Sequence, residues 1–484
     1  MKLGAIAQAA GIALPSGADL TVTGFAIDNR KVAQGCVFGA FQGAAVNGED
    51  FIPAAVQAGA VAVVARPEAK VDGAVHIADA NPRRAFARLA AQFFTPVPET
   101  VVAVTGTNGK TSCVEMTRQI WRMCGHRAAS IGTLGVTTSD ESISTGLTTP
   151  DIVTFLANMT GLAREGVTHV AYEASSHGLS QFRNEGLRVR AGAFTNLSRD
   201  HLDYHKDMED YFAAKMRLLS EVVEVGGTAV VWADDGEWSA RVSEQALVRG
   251  LSLFTVGEKG DSIRLLARHP GQLGQVLEIE FGGQKRKVSL PLIGAYQAAN
   301  AQVSAGLAIA TGEEPARVFD AVSRLQPVRG RLERAAITRA GAPVYVDYAH
   351  TPDALEAAIA ALRPHVSGRL IAVFGCGGDR DTGKRPEMGR IAVEQADLAI
   401  VTDDNPRGED AAEIRRQILG QAPGAREIGD RREAIAAAVA EAGKDDIVLV
   451  AGKGHEQGQI IGRGAETRVL PFDDVTVARE AAGQ

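Results

Sequence analysis

The chain has 484 residues, of which 45% are hydrophobic and 23% are charged, and its formal net charge is −7. This length predicts two to four domains, and the composition is that of a globular protein with an ample core. The acidic balance argues against a general nucleic-acid binder. Four scattered cysteines without a C-x-x-C pair argue against a zinc site or a disulfide framework, and they suit a reducing cytoplasm.

The N-terminal stretch MKLGAIAQAAGIALP faintly resembles a signal sequence, but Gln8 interrupts its apolar run and only Lys2 adds a side-chain charge. It predicts a short helix that Gly and Pro end. No segment reaches the roughly 20 apolar residues of a membrane span. Prolines near residue 98 and a broken helical pattern near residue 327 predict three domains, 1–98, 99–327 and 328–484.

Short apolar runs that end in polar or glycine-rich residues recur along the chain. Examples are VVAVTGTNGKTS, HVAYEASSH, LAIVTDDNPR and IVLVAGKGHE, and helical stretches lie between them. Strands that alternate with helices predict an α/β fold, in which helices cover parallel sheets. Ligands of such sheets bind at the carboxyl ends of the strands, which is where this chain places its unusual residues.

The stretch TGTNGKTS, residues 105–112, follows a valine-rich strand and precedes a predicted helix. Gly106 and Gly109 let backbone amides approach a phosphate, Lys110 adds a charge, and the Thr111 hydroxyl can bind Mg²⁺. Val104 stands where the common phosphate loop has its first glycine. A glycine turn with a chance lysine is the alternative, but the strand–loop–helix context favours a phosphate loop and therefore ATP.

Three further residues follow in YEASSH, TNLSRDHLDYH and DYFAAKMRLL, namely Glu173, His201 and Lys215. A carboxylate and an imidazole can complete an oxygen-rich, partly hydrated Mg²⁺ site. Taken singly, each of the three is more typical of an ordinary surface residue. Their position beside a phosphate loop favours a metal and nucleotide site instead.

The motifs TGTNGKTS, EASSHGL, FTNLSRDHLDYH with AAK, GRLE, VDYAHTPDALE, GCGGDRDTGKRPEM, DDNPR and AGKGHE occur in this order. Together they resemble the Mur ligases of peptidoglycan synthesis, over nearly the whole chain. The resemblance implies three domains: an N-terminal UDP-binding domain, a central P-loop ATPase-type domain and a C-terminal Rossmann-like domain. It also implies ATP-dependent amide-bond synthesis through an acyl phosphate. The C-terminal motifs resemble the member that adds meso-diaminopimelate to UDP-N-acetylmuramoyl-L-alanyl-D-glutamate.

The resemblance also implies site residues. The implied catalytic residues are Lys110, Glu173, His201 and Lys215. The implied Mg²⁺ ligands are Thr111, Glu173, His201 and Lys215, the last as an N-carbamate. The implied ATP-binding residues are Gly106, Thr107, Asn108, Gly109, Lys110, Thr111, Ser112, Asn300, Arg331, Asp347 and His350. The implied UDP-substrate residues are Ile27, Asn29, Gly43, Ala44, Ala45, Thr148, Thr149, Ser175, Gln181 and Arg183. The implied diaminopimelate residues are Arg380, Asp404, Asn405, Pro406, Arg407, Gly452 and Glu456.

Two positions depart from the family pattern, which often has Ser where Asn29 stands and usually has Asn where Gln297 stands. Arg407 lies among acids, and a local counter-charge in a turn is its ordinary interpretation. In a site for diaminopimelate it instead offers a bidentate fork to the distal carboxylate, and Glu456 suits the ammonium.

Three alternatives stay open: a relative that adds L-lysine, a folylpolyglutamate synthase, and an ATP-driven switch without ligase activity. Family members that add L-lysine lack the arginine of DDNPR. A folylpolyglutamate synthase should lack the N-terminal uridine-type segment. The resemblance favours a cytoplasmic monomer that binds ATP, Mg²⁺, the UDP-muramoyl-dipeptide and the amino acid, with no nucleic acid and no membrane span.

Overall fold

The structure is a computed structural model that describes all residues except 16–19, 44–45, 139–141, 144–147 and 203. The predicted substrate residues Ala44 and Ala45 therefore lie outside the described residues. The chain forms two compact units. Unit 1 comprises Met1–Asp261 and Val303–Pro315, and unit 2 comprises Ser262–Gln302 and Ala316–Gln484.

Unit 1 contains two sheets. Its strands are β1 Gly24–Ala26, β2 Cys36–Gly39, β3 Ala62–Ala65, β4 Val75–Ala78, β5 Thr100–Thr105, β6 Ala128–Gly132, β7 Gly135–Thr137, β8 Ser142–Ile143, β9 His169–Glu173, β10 Val189–Phe194, β11 Val223–Trp232 and β12 Ser252–Gly257. Its helices are α1 Leu3–Ala10, α2 Ile52–Gln57, α3 Pro82–Phe93, α4 Lys110–Met123, α5 Ile152–Arg164, α6 Ser176–Ser180, α7 Met208–Arg217 and α8 Glu237–Val248. Single-turn helices lie at Asn29–Lys31 and Gly48–Phe51, and a π-helix at Leu218–Val222.

The first sheet of unit 1 is parallel, in the order β1-β2-β3-β4. In the second, the strands of unit 1 follow the order β12-β11-β10-β5-β9-β6-β7-β8, and the strands from β12 to β6 are parallel. Strands β5 and β9 are buried along their whole length, as expected for a sheet with helices on both faces. Helix α1 ends at Gly11 in the left-handed region, which confirms the short N-terminal helix.

Unit 2 contains an antiparallel meander, a mostly parallel sheet and a hairpin. Its strands are β13 Ile263–Gly271, β14 Gly274–Phe281, β15 Gln284–Leu290, β16 Glu333–Ile337, β17 Pro343–Asp347, β18 Leu370–Phe374, β19 Leu398–Val401, β20 Arg426–Glu427, β21 Ile447–Ala451, β22 Gly458–Ile461 and β23 Arg468–Pro471. Helices α9 Ala295–Ala310 and α10 Pro315–Val322 each have residues in both units. The helices that belong to unit 2 alone are α11 Pro352–Leu362, α12 Lys384–Gln395, α13 Ala411–Leu419, α14 Arg431–Glu441 and α15 Asp474–Ala482. Single-turn helices lie at Arg363–His365 and Gly464–Glu466.

The six-stranded sheet of unit 2 has the order β16-β17-β21-β18-β19-β20, and only β16 runs antiparallel to its neighbour. Strands β18 and β21 are fully buried, and hydrophobic side chains pack on both sides of the sheet. The predicted α/β fold with parallel sheets is therefore confirmed. The motifs DDNPR and AGKGHE follow β19 and β21, at the carboxyl edge of this sheet.

The predicted domain boundary at residue 98 lies in the segment that joins α3 to β5, and the one at residue 327 lies between α10 and β16. The division into three domains stays a prediction. All four cysteines are free and buried. Among the described residues, no helix combines the length and the apolar character that a membrane crossing requires.

Candidate functional site

The loop between β5 and α4 carries the predicted phosphate-binding residues. Gly106 and Gly109 have φ angles of +143° and +86°, which residues other than glycine rarely adopt. A Cβ atom at Gly106 would also collide with the Thr195 hydroxyl. The loop leads directly into the N-terminus of the 14-residue helix α4, whose dipole and first amides favour an anion. This geometry suits a phosphate group.

Two residues that follow β10 hold this loop in place. The backbone amide of Asn108 donates to Asn196 Oδ1 at 2.9 Å, and the Thr107 amide donates to the Asn196 carbonyl at 2.8 Å. The Thr195 hydroxyl donates to the Asn108 carbonyl at 2.6 Å. The sequence interpretation assigned no role to Thr195 or Asn196, although both lie within the motif FTNLSRDHLDYH.

Lys110 folds back over its own loop. Its Nζ donates to the carbonyls of Gly106 and Thr107, at 2.9 and 2.7 Å. Because only the side chain of Lys110 would have to move, its ammonium can replace these two hydrogen bonds with hydrogen bonds to phosphate oxygens.

Glu173 is the last residue of β9, and the strand register pairs it with Val104 at the start of the phosphate loop. Its side chain is buried, and Oε1 accepts a hydrogen bond of 2.7 Å from the Thr133 amide. Gly132 leaves room for the carboxylate, because a Cβ atom there would overlap it. A buried carboxylate beside a phosphate loop can serve as a ligand for a divalent cation.

Lys215 on α7 is fully buried next to the same loop. Its Nζ donates to the Gly106 carbonyl at 2.7 Å, so Lys110 and Lys215 share one acceptor. Nζ also lies 4.3 Å from the centre of the Tyr211 ring. Burial, together with the nearby charge of Lys110, lowers the pKa of Lys215 well below its usual value. This shift favours the neutral amine, which is the form that reacts with carbon dioxide.

His201 lies at the other predicted metal-binding position, with its φ of +53° in the left-handed region. Its ring centroid is 6.0 Å from that of Tyr211 and 5.0 Å from that of His177. The hydroxyl of Thr111, the Glu173 carboxylate and an imidazole form a donor set that fits Mg²⁺. The ammonium of Lys215 does not fit, since it would repel a cation, whereas a carbamate at the same position would supply anionic oxygens.

The predicted UDP-substrate residues of the central segment form a connected polar network. The Ser175 amide donates to Thr149 Oγ1 at 3.1 Å, and Arg183 Nη1 donates to the Thr149 carbonyl at 2.8 Å. The hydroxyls of Thr148 and Thr133 are 3.1 Å apart. Because Thr133 also binds Glu173, this network adjoins the carboxylate described above.

The network continues to Tyr204, and a second arginine lies within electrostatic range of it. Arg183 Nη2 donates to Gln181 Oε1 at 2.8 Å, and Gln181 Nε2 donates to the Tyr204 hydroxyl at 3.2 Å. Arg83 at the start of α3 donates to the Gln42 carbonyl at 3.0 Å. Burial lowers the pKa of both arginines, and Arg183 is close enough to lower that of Arg83 further. No motif contains Arg83, and Tyr204 lies within FTNLSRDHLDYH without an assigned role, so the sequence interpretation missed both.

The remaining predicted UDP-substrate residues lie in the N-terminal part of unit 1. Ile27 packs against the hydrophobic core, and Asn29 begins a single-turn helix. The Gly43 amide donates to the Val46 carbonyl at 2.9 Å, and a Cβ atom at Gly43 would lie 2.8 Å from that oxygen. The turn at Gly43 therefore requires glycine.

Three of the predicted ATP residues of unit 2, Arg331, Asp347 and His350, lie next to Tyr348 in space or in sequence. The Arg331 guanidinium lies 5.1 Å from the Tyr348 ring centre, and His350 Nδ1 is 2.8 Å from the Tyr348 carbonyl. Asp347 accepts from the Leu332 amide at 2.7 Å, and burial raises its pKa to about 6 against the opposing charge of Arg331. Burial lowers the pKa of His350.

Gln297, at the position where the family usually has Asn, donates to the Arg331 carbonyl at 2.8 Å. Its Oε1 accepts from Asn300 Nδ2 at 3.4 Å. Gln297 therefore links two of the predicted ATP residues in unit 2.

Arg407 adopts a left-handed conformation, with φ of +51°. Its amide donates to the Ile460 carbonyl at 3.0 Å, and its carbonyl accepts from the Gly462 amide at 2.7 Å, so hairpin β22–β23 fixes its backbone. Its Nη1 donates to the Gly378 carbonyl at 3.0 Å. A Cβ atom at Gly377 would lie 2.8 Å from the same nitrogen. The guanidinium is thus half-buried and aimed by its neighbours, unlike a solvated counter-charge.

The other predicted diaminopimelate residues divide by burial. Asp404 and Asn405 are buried, and Asn405 Nδ2 donates to Glu456 Oε2 at 2.9 Å. Arg380 is exposed, whereas Arg385 in the same motif is fully buried. Arg385 makes a bidentate pair with Glu409, at 2.9 and 3.0 Å, and also donates to the Gly377 carbonyl. The sequence interpretation missed Arg385, because burial cannot be read from spacing.

Three family models match the chain. They are the Mur ligase family, catalytic domain, over residues 21–97, the Mur ligase middle domain over 104–308, and the Mur ligase, glutamate ligase domain, over 330–454. Together they match most of the sequence.

Relatives of high identity carry one name, UDP-N-acetylmuramoyl-L-alanyl-D-glutamate--2,6-diaminopimelate ligase. The protein of this name from Zymomonas mobilis is 60% identical over 480 residues, covering 99% of this chain and 98% of its own. The one from Caulobacter vibrioides is 50% identical over 477 residues, covering 96% of each chain.

Solved structures agree with the fold. A structure of a protein with the same name is 32% identical, has a TM-score of 0.76, and covers 99% of this chain and 98% of its own. The Mycobacterium tuberculosis folylpolyglutamate synthase complexed with ADP is 19% identical, with a TM-score of 0.61 over 75% of this chain and 89% of its own. The second likeness shows the fold alone.

Proposed function

This chain belongs to the Mur ligase family, and we propose that it uses ATP to join meso-2,6-diaminopimelate to the D-glutamyl carboxylate of UDP-N-acetylmuramoyl-L-alanyl-D-glutamate. Whole-chain identity to relatives named for this reaction supports the proposal. The observation that carries it is the geometry at Arg407, where an oriented guanidinium adjoins the buried residues Asp404 and Asn405. The distal end of diaminopimelate carries a carboxylate, which a guanidinium can bind, and an ammonium, which acidic or carbonyl oxygens can bind.

The reaction has two steps. The terminal phosphoryl group of ATP passes to a carboxylate oxygen of the D-glutamyl residue, which yields ADP and an acyl phosphate. The neutral amine of diaminopimelate then attacks the carbonyl carbon, the carbon–oxygen bond to phosphate breaks, and the amine loses a proton. Positioning and charge neutralisation dominate such chemistry.

The residues of unit 1 would bind the phosphates. Lys110 and the N-terminus of helix α4 would hold the terminal phosphates. Mg²⁺, held by Thr111, Glu173, His201 and carbamylated Lys215, would neutralise charge on the transferred phosphoryl group. Asn300, Arg331, Asp347 and His350 are the further residues that we propose for ATP binding.

The two half-buried arginines of unit 1 would bind the anionic part of the UDP-substrate. Arg183 is already bound within the network of Thr149 and Gln181, and Arg83 lies within electrostatic range of it. The charges of the two guanidinium groups repel each other, and a bound anion would reduce that repulsion. We also propose that the protein acts as a monomer in the cytoplasm.

Arg407→Ala is expected to raise the KM for diaminopimelate strongly, with little change for ATP or the UDP-substrate. Leaving one partner of a buried charge pair unpaired typically costs about 2–5 kcal/mol, or roughly thirty- to several-thousand-fold. Arg407→Lys should recover only part of the loss, because an ammonium lacks the planar fork. Steady-state kinetics with each substrate varied in turn measures the effect.

Arg416→Ala is the matched control, since Arg416 is an exposed arginine paired with Glu413 on the next helix. It should leave all three KM values unchanged. An Arg407→Ala enzyme that kept its KM for diaminopimelate would make Arg407 a local counter-charge, as in the ordinary interpretation of the turn.

A further inference from the structure

Lys453, which follows β21, is fully buried among three of the proposed diaminopimelate residues. Its Nζ donates to Asn405 Oδ1 at 2.7 Å. The same nitrogen lies 3.5 Å from Glu456 Oε2 and 3.7 Å from Asp404 Oδ1. Lysine is almost never fully buried unless it is paired, so this ammonium belongs to an organised polar cluster.

The cluster fixes the orientation of the Asn405 amide. Its Oδ1 accepts from Lys453 Nζ and also from the Ile460 amide at 2.9 Å. Its Nδ2 therefore faces Glu456 Oε2, to which it donates at 2.9 Å. A rotated amide would place its NH₂ group against two donors, so Lys453 selects the observed orientation.

The Asp404 carboxylate packs against Gly452, the residue before Lys453. A Cβ atom at Gly452 would lie 2.5 Å from Asp404 Oδ2, and the φ of Gly452 is +122°. Glycine at this position thus lets the carboxylate approach the loop that carries Lys453. The proposed roles of Gly452 and Asp404 are linked by this contact.

The charges of the cluster also match the proposed substrate. Lys453 offsets one of the two acids Asp404 and Glu456, so the cluster keeps one net negative charge for one incoming ammonium. Two further charged residues act on Lys453, namely Arg431 and Asp474. Both are fully buried and pair at 2.7 Å, so their charges neutralise each other. Burial lowers the pKa of Lys453, and the charge of Asp404 acts against this effect.

We propose that Lys453 is a positioning residue for the incoming diamino acid: it holds Asp404, Asn405 and Glu456 in the arrangement that receives the substrate's ammonium. Lys453 itself is enclosed by these residues and does not touch the substrate. This inference rests on the proposed function, because the ammonium in question belongs to diaminopimelate.

The test is steady-state kinetics on Lys453→Met and Lys453→Gln. Lys453→Met should raise the KM for diaminopimelate about thirtyfold or more at pH 7.5, since it leaves the buried Asp404 and the half-buried Glu456 without their cation. The KM values for ATP and the UDP-substrate should stay within about twofold, and kcat at saturation within a few-fold. Lys453→Gln keeps a donor for Asn405 but not the charge, so its KM should be intermediate.

Asp446→Asn is the control for stability. Asp446 is a buried acid of the same unit that accepts from the Arg369 amide at 2.7 Å, and this substitution should lower Tm without changing any KM. An unchanged KM for diaminopimelate in both Lys453 variants would overturn the inference, as would equal rises in all three KM values. A wild type that does not use diaminopimelate would instead overturn the proposed function.

Discussion

Lys215→Ala is expected to lower kcat by at least about a thousandfold, because it removes the proposed carbamate that completes the metal site. Lys215 is fully buried, and burial lowers its pKa, which favours the neutral amine that reacts with carbon dioxide. Its Nζ already contacts the carbonyl of Gly106 in the phosphate loop at 2.7 Å. The assay is ADP release with saturating ATP, UDP-substrate and diaminopimelate.

Chemical rescue distinguishes the carbamate from a structural lysine. Short carboxylic acids such as formate or acetate should partly restore activity to Lys215→Ala, since the vacated space admits a carboxylate. Lys215→Met fills that space, so the same acids should not restore its activity. Lys206→Ala, at an exposed lysine that precedes α7, should behave as wild type. High-resolution density that ended at an unmodified ammonium, in crystals grown with bicarbonate, would contradict the assignment.

Lys110→Ala is expected to abolish turnover while the UDP-substrate still binds with nearly its normal affinity. Lys110 Nζ lies over the phosphate loop, where it donates to the carbonyls of Gly106 and Thr107. The proposed UDP-substrate network around Thr149 and Arg183 has its own hydrogen bonds. Removing a preorganised charge from a phosphoryl-transfer site costs about 3–4 kcal/mol or more, roughly a hundred- to a thousandfold in rate.

Calorimetric titration with the UDP-substrate, beside an ATP-turnover assay, measures both effects. Lys259→Ala replaces an exposed lysine elsewhere in unit 1 and should change neither quantity. If Lys110→Ala lost all binding of the UDP-substrate, the loop would have a structural role rather than the proposed role in phosphate binding.

Local patterns were sufficient to predict the strands and the phosphate loop. Thr105 to Ser112 can be read from spacing, because glycines, a lysine and a hydroxyl have defined uses between a strand and a helix. The place of Glu173 beside Val104 also follows, since both stand near the carboxyl ends of parallel strands. These features depend on neighbours in sequence or on one general rule of α/β sheets.

Long-range pairing could not be predicted in this way. Arg431 and Asp474 are 43 positions apart and form a fully buried ion pair. Lys453 reaches Asn405 across 48 positions. From the sequence, each of these residues is an ordinary polar or charged residue in a loop or at a helix end. The packed sheet of unit 2 brings these side chains together and excludes water from them. Their pairing can therefore be recognised only once the fold is known.

For the same reason, the N-terminal part of the proposed substrate site could be predicted only in part. Arg83 stands in a helix start without a motif, yet the fold brings it within electrostatic range of Arg183, 100 positions later. Gly43 could be matched to the family's loop, whereas Arg83 could not be distinguished from the basic residues around it. Contacts between sequence segments this far apart require the structure.

The measurement that tests the central claim most directly is product formation by the wild-type chain with a panel of amino acids. Purified protein, ATP, Mg²⁺ and UDP-N-acetylmuramoyl-L-alanyl-D-glutamate are combined with meso-diaminopimelate, L-lysine, L-glutamate or no amino acid. Phosphate release and the mass of the UDP-linked product are followed together. We expect a product carrying diaminopimelate, with one ADP and one phosphate per amide bond, and little product with L-lysine, which leaves Arg407 without its carboxylate partner. Equal efficiency with L-lysine, or ATP hydrolysis without any amide product, would contradict the account.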